Sequence, residues 1–239
     1  DLVRSRGLGD VYKRQDSEVL GGAERSLLNL VAAYHGTAKL VVLSTNRHFL
    51  REIDHMEGID STFLHARSSF LGAVIDHRRQ FRELGLDLVQ VTLANPFTSR
   101  AALLGGVLAR IPTVAVEQLV LPSRRRRGSV FKRLLAGAQA GTIAVGSASA
   151  DDLTRYFGIP RHSITVVHNG VAESEFVRPP TSSPPVVGCA ARLEDQKGID
   201  LLLRAMAQIP DARLVLVGDG DRRIALEQQA AAPVSYTHL

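Results

Sequence analysis

Arg192 and Lys197 stand between an apolar strand and an apolar helix in the run Gly188-Cys-Ala-Ala-Arg192-Leu-Glu-Asp-Gln-Lys197-Gly198-Ile-Asp-Leu-Leu-Leu. That order holds both cations at or near a helix N-terminus. Unpaired backbone N–H groups and the helix dipole already favour an anion there. Two fixed cations added to the dipole make a site for a diphosphate. They would stabilise the charge that grows on phosphate oxygens as a diphosphate leaves, and could do so in place of a divalent metal.

Four further segments carry chemistry. Gly21-Gly22-Ala23-Glu24 precedes an amphipathic helix, so a ligand could approach the backbone closely and meet a helix N-terminus. Taken alone, the pair also fits an ordinary loop before a helix. Val166-Val167-His168-Asn169-Gly170-Val171, followed by Phe176, carries an Asn-Gly turn signal. Gly218-Asp219-Gly220 follows the apolar run Leu214–Val217, where a tight strand-to-helix turn explains the glycines as well as a ligand does. Glu117 ends the run Thr113–Val116, at the carboxyl end of a strand, where α/β folds bind ligands. A helix-capping or surface glutamate is the plainer account.

Together these segments resemble the family 4 glycosyltransferases, which are retaining enzymes of GT-B fold. The resemblance spans nearly all of residues 16–231 and rests mainly on 188–198, with support from 21–24 and 166–176. It implies transfer of a sugar, of hexosyl type, from a nucleotide-diphosphate sugar to an acceptor with retention of configuration. No metal or other cofactor is expected, because the nucleotide sugar is a substrate. It implies catalytic roles for Arg192, Lys197 and Glu117, and substrate contacts at Gly21, Gly22, Asn169, Gly170, Gly218 and Gly220. Glu117 departs from the pattern. The family usually places a histidine near the reacting sugar after this strand, and a carboxylate cannot supply imidazole chemistry. Family members also carry two glutamates, seven residues apart, that hold the donor; this chain ends before them.

The elements that must position these residues alternate strand and helix. Ala38–Leu43, Leu86–Leu93, Thr113–Val116, Thr142–Val145 and Ile164–Val167 are continuously apolar, as strands buried on both faces of a parallel sheet are, and Thr62–Leu64 is a further short candidate. Helical patterns fall at about 24–35, 47–57, 70–84, 97–109, 129–139 and 148–157. After the Pro/Ser-rich linker 178–185 come strand 186–191, helix 198–208, strand 213–217 and helix 221–231. The expected class is α/β, GT-B, with two Rossmann-like doubly wound domains at 16–177 and 186–233. The second is expected to be incomplete and the first to lack its opening strand. Residues 5–15 and 234–239 read like translated sequencing-library adapter, with 1–4 as barcode, so 1–15 and 234–239 are set aside from fold reasoning. The isolated chain is expected to be inactive because its donor half-site is incomplete.

Composition narrows the partners. The net charge of +5 falls to +3 once Arg4, Arg6, Lys13, Arg14, Asp1 and Asp10 are set aside. That mild excess and the lack of interleaved aromatics argue against nucleic acid. The single Cys189 permits no internal disulfide and suits a reducing cytoplasm. Arg124, Arg125, Arg126 and Arg127, with Lys132 and Arg133 beyond, form a basic cluster that could touch anionic headgroups at the inner face of the membrane, or be a solvated loop. His48, Glu52 and His55 could share a helix face, where solvation outweighs metal ligation. Two other functions remain open. A GT-B sugar-nucleotide epimerase would act without an acceptor. A non-catalytic binding module would survive Arg192→Ala.

Overall fold

The computed structural model describes residues 21–34, 39–56, 59–64, 69–122, 126–170, 183–209 and 211–231. The adapter-like ends, most of the Pro/Ser-rich linker, and Arg124 and Arg125 lie outside them. The chain forms two compact units, residues 1–173 and 174–239.

In the first unit the order is α1 (Gly22–Ala32), β1 (Leu40–Ser44), α2 (Arg47–Asp54), β2 (Ile59–Phe63), α3 (Phe70–Glu83), β3 (Val89–Leu93), α4 (Arg100–Ala109), β4 (Thr113–Glu117), α5 (Arg126–Ala138), β5 (Gly141–Ala144), α6 (Ser147–Phe157) and β6 (Ile164–Val166). Helix starts are fixed by side chains that accept from free backbone amides. Asn46 accepts from His48 and Phe49 ahead of α2, and Ser69 accepts from Gly72 ahead of α3. Gly158, at φ 67°, ends α6 in the left-handed conformation. Helix α4 begins at Arg100, three residues later than the sequence pattern suggested. Asn95 holds the preceding turn by accepting from the amides of Phe97 and Thr98.

All strand pairs are parallel. β3-β4-β5-β6 form one sheet and β1-β2 another. Leu93, Leu103 and Ala115 centre the core over β3 and β4; Ala144, Leu153 and Ile159 centre a second over β5. Leu43 of β1 packs against the first of these cores. Among the described residues no strand pairs β1 to β3. The chain ahead of Gly21, where the sequence reading concerned an opening strand, lies outside them.

The second unit orders β7 (Val186–Ala190), a 3-10 turn (Asp195–Lys197), α7 (Ile199–Met206), β8 (Arg213–Val217) and α8 (Arg223–Ala231). β7 and β8 pair in parallel. Ile199, Leu203, Met206, Leu214 and Leu226 make its core.

The closest helix packing in the first unit depends on Gly105. A Cβ there would stand 2.7 Å from His77 Cβ and 3.1 Å from the Arg78 amide nitrogen. Gly105→Val is therefore expected to force α3 off α4 and cost about 1–3 kcal/mol. Gly137→Ala, with nothing within 4 Å, is expected to stabilise α5 by about 0.5–1 kcal/mol. Urea denaturation of both variants checks the pair. Burial also pushes the His77 imidazole below its ordinary value of 6.5, against a smaller upward pull from Asp76. The folded state then binds that proton less readily than the unfolded chain. This contribution is present above 6.5 and is lost as pH falls below it. Melting temperature should drop across that range, and His77→Leu should flatten the drop.

Candidate functional site

In the second unit, two glycines let one loop lie on another. A Cβ on Gly218 would overlap the backbone of Ala191, and one on Gly220 that of Leu193. The contact is stitched by hydrogen bonds. Ala191 N donates to Val217 O at 3.0 Å, Leu193 N to Asp219 O at 2.9 Å, and Arg222 N to Leu193 O at 3.0 Å. Arg192 sits between the two anchored residues. The glycines thus hold the loop that carries the cation, and close backbone approach accounts for both.

Lys197 ends the 3-10 turn, and Gly198 follows as N-cap of α7 at φ 62°. Both cations lie on the connection that leads into α7. Lys197 is adjacent to the helix N-terminus, whereas Arg192 lies on the preceding loop. Lys197 is exposed and makes no ion pair among the described residues. The Arg192 guanidinium donates to Glu194 Oε1 at 2.6 Å, with its side chain 60% exposed. Exposed pairs of this kind contribute at most about 1 kcal/mol, so a phosphate could take Glu194's place cheaply. Asp200, in the first turn of α7, is already paired with Arg204 at 2.7 Å.

In the first unit, the expected glycine pair opens α1. Nothing lies within 4 Å of a Cβ placed on Gly22, so its backbone faces open space. Gly21 differs, because a Glu24 carboxylate oxygen lies 2.7 Å from its Cβ position. That carboxylate already stands at the helix N-terminus. At this end of α1 the Glu24 carboxylate offsets the attraction that the helix dipole alone would offer a phosphate.

Beside it is a ring of neutral side chains. Ser26 Oγ donates to Asn169 Oδ1 at 2.8 Å, Asn169 Nδ2 to Gln118 Oε1 at 3.0 Å, and Gln118 Nε2 to Ser26 Oγ at 3.5 Å. Asn29 Nδ2 donates to Gly170 O at 3.3 Å. The ring joins α1 to the residues following β4 and β6. Asn169 and Gly170, which the sequence singled out, both take part in these contacts. Ser26, Asn29 and Gln118 were missed. The spacing of Ser26 and Asn29, three apart on one helix face, could have found two of them.

Glu117 is placed differently from expectation. It is 1% exposed and forms an ion pair and a short hydrogen bond with Lys132 of α5. Lys132 Nζ also donates to Pro96 O at 3.3 Å. The second carboxylate oxygen, Oε2, has no partner among the described residues. The adjoining cavity, lined also by Arg100, Gln139 and Thr142, has a volume of about 10 Å³, enough for one water molecule. In this geometry the Glu117 carboxylate meets Lys132, where the sequence reading expected a sugar hydroxyl. The same pair removes Lys132 from the surface basic cluster. Among the described residues no three His, Cys, Asp or Glu side chains gather as metal ligands, His48, Glu52 and His55 included. No helix there is long and apolar enough to cross a membrane.

Residues 20–175 match the profile of Glycosyltransferase Family 4, and residues 171–233 match that of Glycosyl transferases group 1. The chain belongs to Glycosyltransferase Family 4. It is 34% identical over 108 residues to glycogen synthase 2 of Bradyrhizobium diazoefficiens, a match covering 42% of this chain and 22% of that protein. It is 32% identical over 80 residues to granule-bound starch synthase 1 of Pisum sativum, covering 31% and 13%. These matches thus span about a fifth or less of each relative. Among solved structures, Anabaena Alr3699/HepE in complex with UDP superposes with a TM-score of 0.68 at 21% identity, over 93% of this chain and 67% of that one. A glycosyltransferase from Rickettsia africae gives 0.68 at 14% identity, over 98% and 66%. The UDP-GlcNAc 2-epimerase of Methanocaldococcus jannaschii gives 0.52 at 12%, over 90% and 68%. At these identities the structural likeness establishes the fold: α/β, Rossmann-like, of GT-B type.

The buried pair predicts a non-additive cycle. Lys132→Met alone leaves a buried carboxylate without its cation and should cost about 3–5 kcal/mol. Glu117→Leu combined with Lys132→Met should recover most of that loss. Additive losses in urea denaturation would count against the pair as described.

Proposed function

We propose that this protein transfers a hexosyl group from a nucleotide-diphosphate sugar to an acceptor hydroxyl, with retention and without a metal. The observation that carries this reading is the stitched loop of the second unit, which sets Arg192 and Lys197 at the approach to α7. In the proposed reaction the bond from the sugar's anomeric carbon to the diphosphate oxygen breaks, and the acceptor oxygen bonds to the same face while its proton passes to the departing diphosphate oxygen. The two cations and the first amides of α7 take up the charge left on the departing diphosphate. The neutral ring of Ser26, Gln118 and Asn169 suits an uncharged, hydroxyl-bearing molecule. It can donate from an amide or hydroxyl and accept at an amide oxygen. Gln118 takes the contact role first assigned to Glu117. Glu117 holds the strand end from which Gln118 departs. We also propose a cytoplasmic location, with contact at the inner face of the membrane through Arg124–Arg127. Support comes from family membership, from the glycogen and starch synthase relatives, and from the GT-B neighbours.

UDP is the natural probe, because the HepE structure holds it. Calorimetric titration of UDP into this chain should show binding that Arg192→Ala and Lys197→Ala each weaken at least about tenfold, the usual loss for a hydrogen bond to a charged group. Equal affinity in all three proteins would overturn the assignment of the loop. Isomerisation of UDP-sugar by the protein with no acceptor present would favour an epimerase instead.

A further inference from the structure

We propose that Arg47 and Phe63 form a clamp for an anionic group, phosphate or carboxylate, carried by the acceptor. The inference rests on the proposed transfer, with the first unit taking the acceptor, and it names that acceptor's class: a hydroxyl-bearing molecule with an acidic group. The parallel register sets Ser44 of β1 opposite Phe63 of β2, the last residue of each strand. Leu64 N donates to Ser44 O at 2.8 Å and keeps the two ends together. The carboxyl ends of parallel strands are where α/β folds bind ligands. Three residues beyond Ser44, Arg47 opens α2, and its guanidinium lies over the Phe63 ring, 4.1 Å from the centroid. At an exposed site such a contact is weak, and its effect is orientation. It fixes the guanidinium plane while leaving the N–H donors around its edge unengaged. That edge fits a bidentate partner, which for arginine is a carboxylate or a phosphate.

No carboxylate of the protein fills this place. Arg47 is exposed and makes no ion pair among the described residues. One turn further along α2 stands Arg51, a second exposed cation rather than a counter-ion. The neighbouring acids are engaged elsewhere: Asp60 pairs with Lys39 at 2.6 Å, and Asp54 accepts from Ser61 Oγ. The end of α2 is itself closed, because Asn46 Oδ1 accepts from His48 N at 2.9 Å and from Phe49 N at 3.1 Å. The arginine side chain, not the helix terminus, therefore faces an incoming anion. Helix α1 borders both this clamp and the neutral ring. Its Leu28 and Val31 share one core with Val42, Phe49 and Leu50, while Ser26 and Asn29 bond to Asn169 and Gly170. A neutral acceptor would leave Arg47 without a role; an acceptor with an acidic group engages the cation as well as the ring.

Calorimetric titration of the whole chain with glucose, glucose 6-phosphate and glucuronate tests the proposal. At least one of the two anions is expected to bind at least about tenfold more tightly than glucose, the gain from a hydrogen bond between charged groups. R47Q should bring that anion down to the affinity of glucose. R47K, which keeps the charge and loses the fork, should restore only part of the difference. F63L should weaken anion binding about two- to fivefold by releasing the guanidinium from the ring, and it serves as the second variant should R47Q not fold. Dependence of only the phosphate or only the carboxylate on Arg47 would support the clamp and say which group it takes. Three results would overturn it: equal affinity for all three sugars, no binding of either anion, or anion binding that R47Q and F63L leave intact. Anion binding lost in R192A and kept in R47Q would place the anion on the nucleotide loop and overturn it too. UDP separates this inference from the reading it rests on. If R192A weakens UDP binding while R47Q affects no sugar, the proposed transfer stands and the clamp falls; if R192A leaves UDP binding unchanged, the reading of the nucleotide loop falls whatever Arg47 does.

Discussion

One buried cation organises the carboxyl edge of the first unit's larger sheet. Lys132 reaches from α5 to Glu117 at the end of β4 and to the Pro96 carbonyl in the turn before α4. Three segments of the first unit thus converge on a single ammonium group. Such a pair is not a large source of stability, since removing two charges from water costs several kcal/mol per ion and the attraction only offsets that cost. Its effect is geometric. The Glu117 and Pro96 contacts hold the end of β4, and Gln118 is the next residue. The ring of Ser26, Gln118 and Asn169 inherits its position from that stop.

Much of the architecture was legible because its signals are local. Continuous apolar runs marked the parallel strands, and Gly198, Gly218 and Gly220 marked the turns that carry Arg192 and Lys197. Pairing between distant charges was not legible. In sequence, Lys132 belongs to a basic run, and nothing in that run points to a carboxylate fifteen residues back. Glu117 did carry a readable signal. Thr113, Ala115 and Glu117 alternate along β4 and are all buried, so the strand's period of two turns the glutamate inward with them. Reading the strand as apolar throughout hid that phase. The division of the strands into two sheets was not legible either, because apolar runs show that strands exist and not which edges meet.

The two glycine-led helix starts show why a motif has to be read with its neighbours' charges. α1 and α7 both begin after glycine, and both present free amides at the positive end of a helix dipole. At α1, Glu24 brings a carboxylate to that end, and the nearby side chains are neutral. At α7, the first-turn carboxylate Asp200 is tied to Arg204, while Lys197 immediately precedes the cap and Arg192 is held on the adjoining loop. The same backbone motif therefore stands among different charges in the two units. The local charges at each helix start, more than the glycines, distinguish the two.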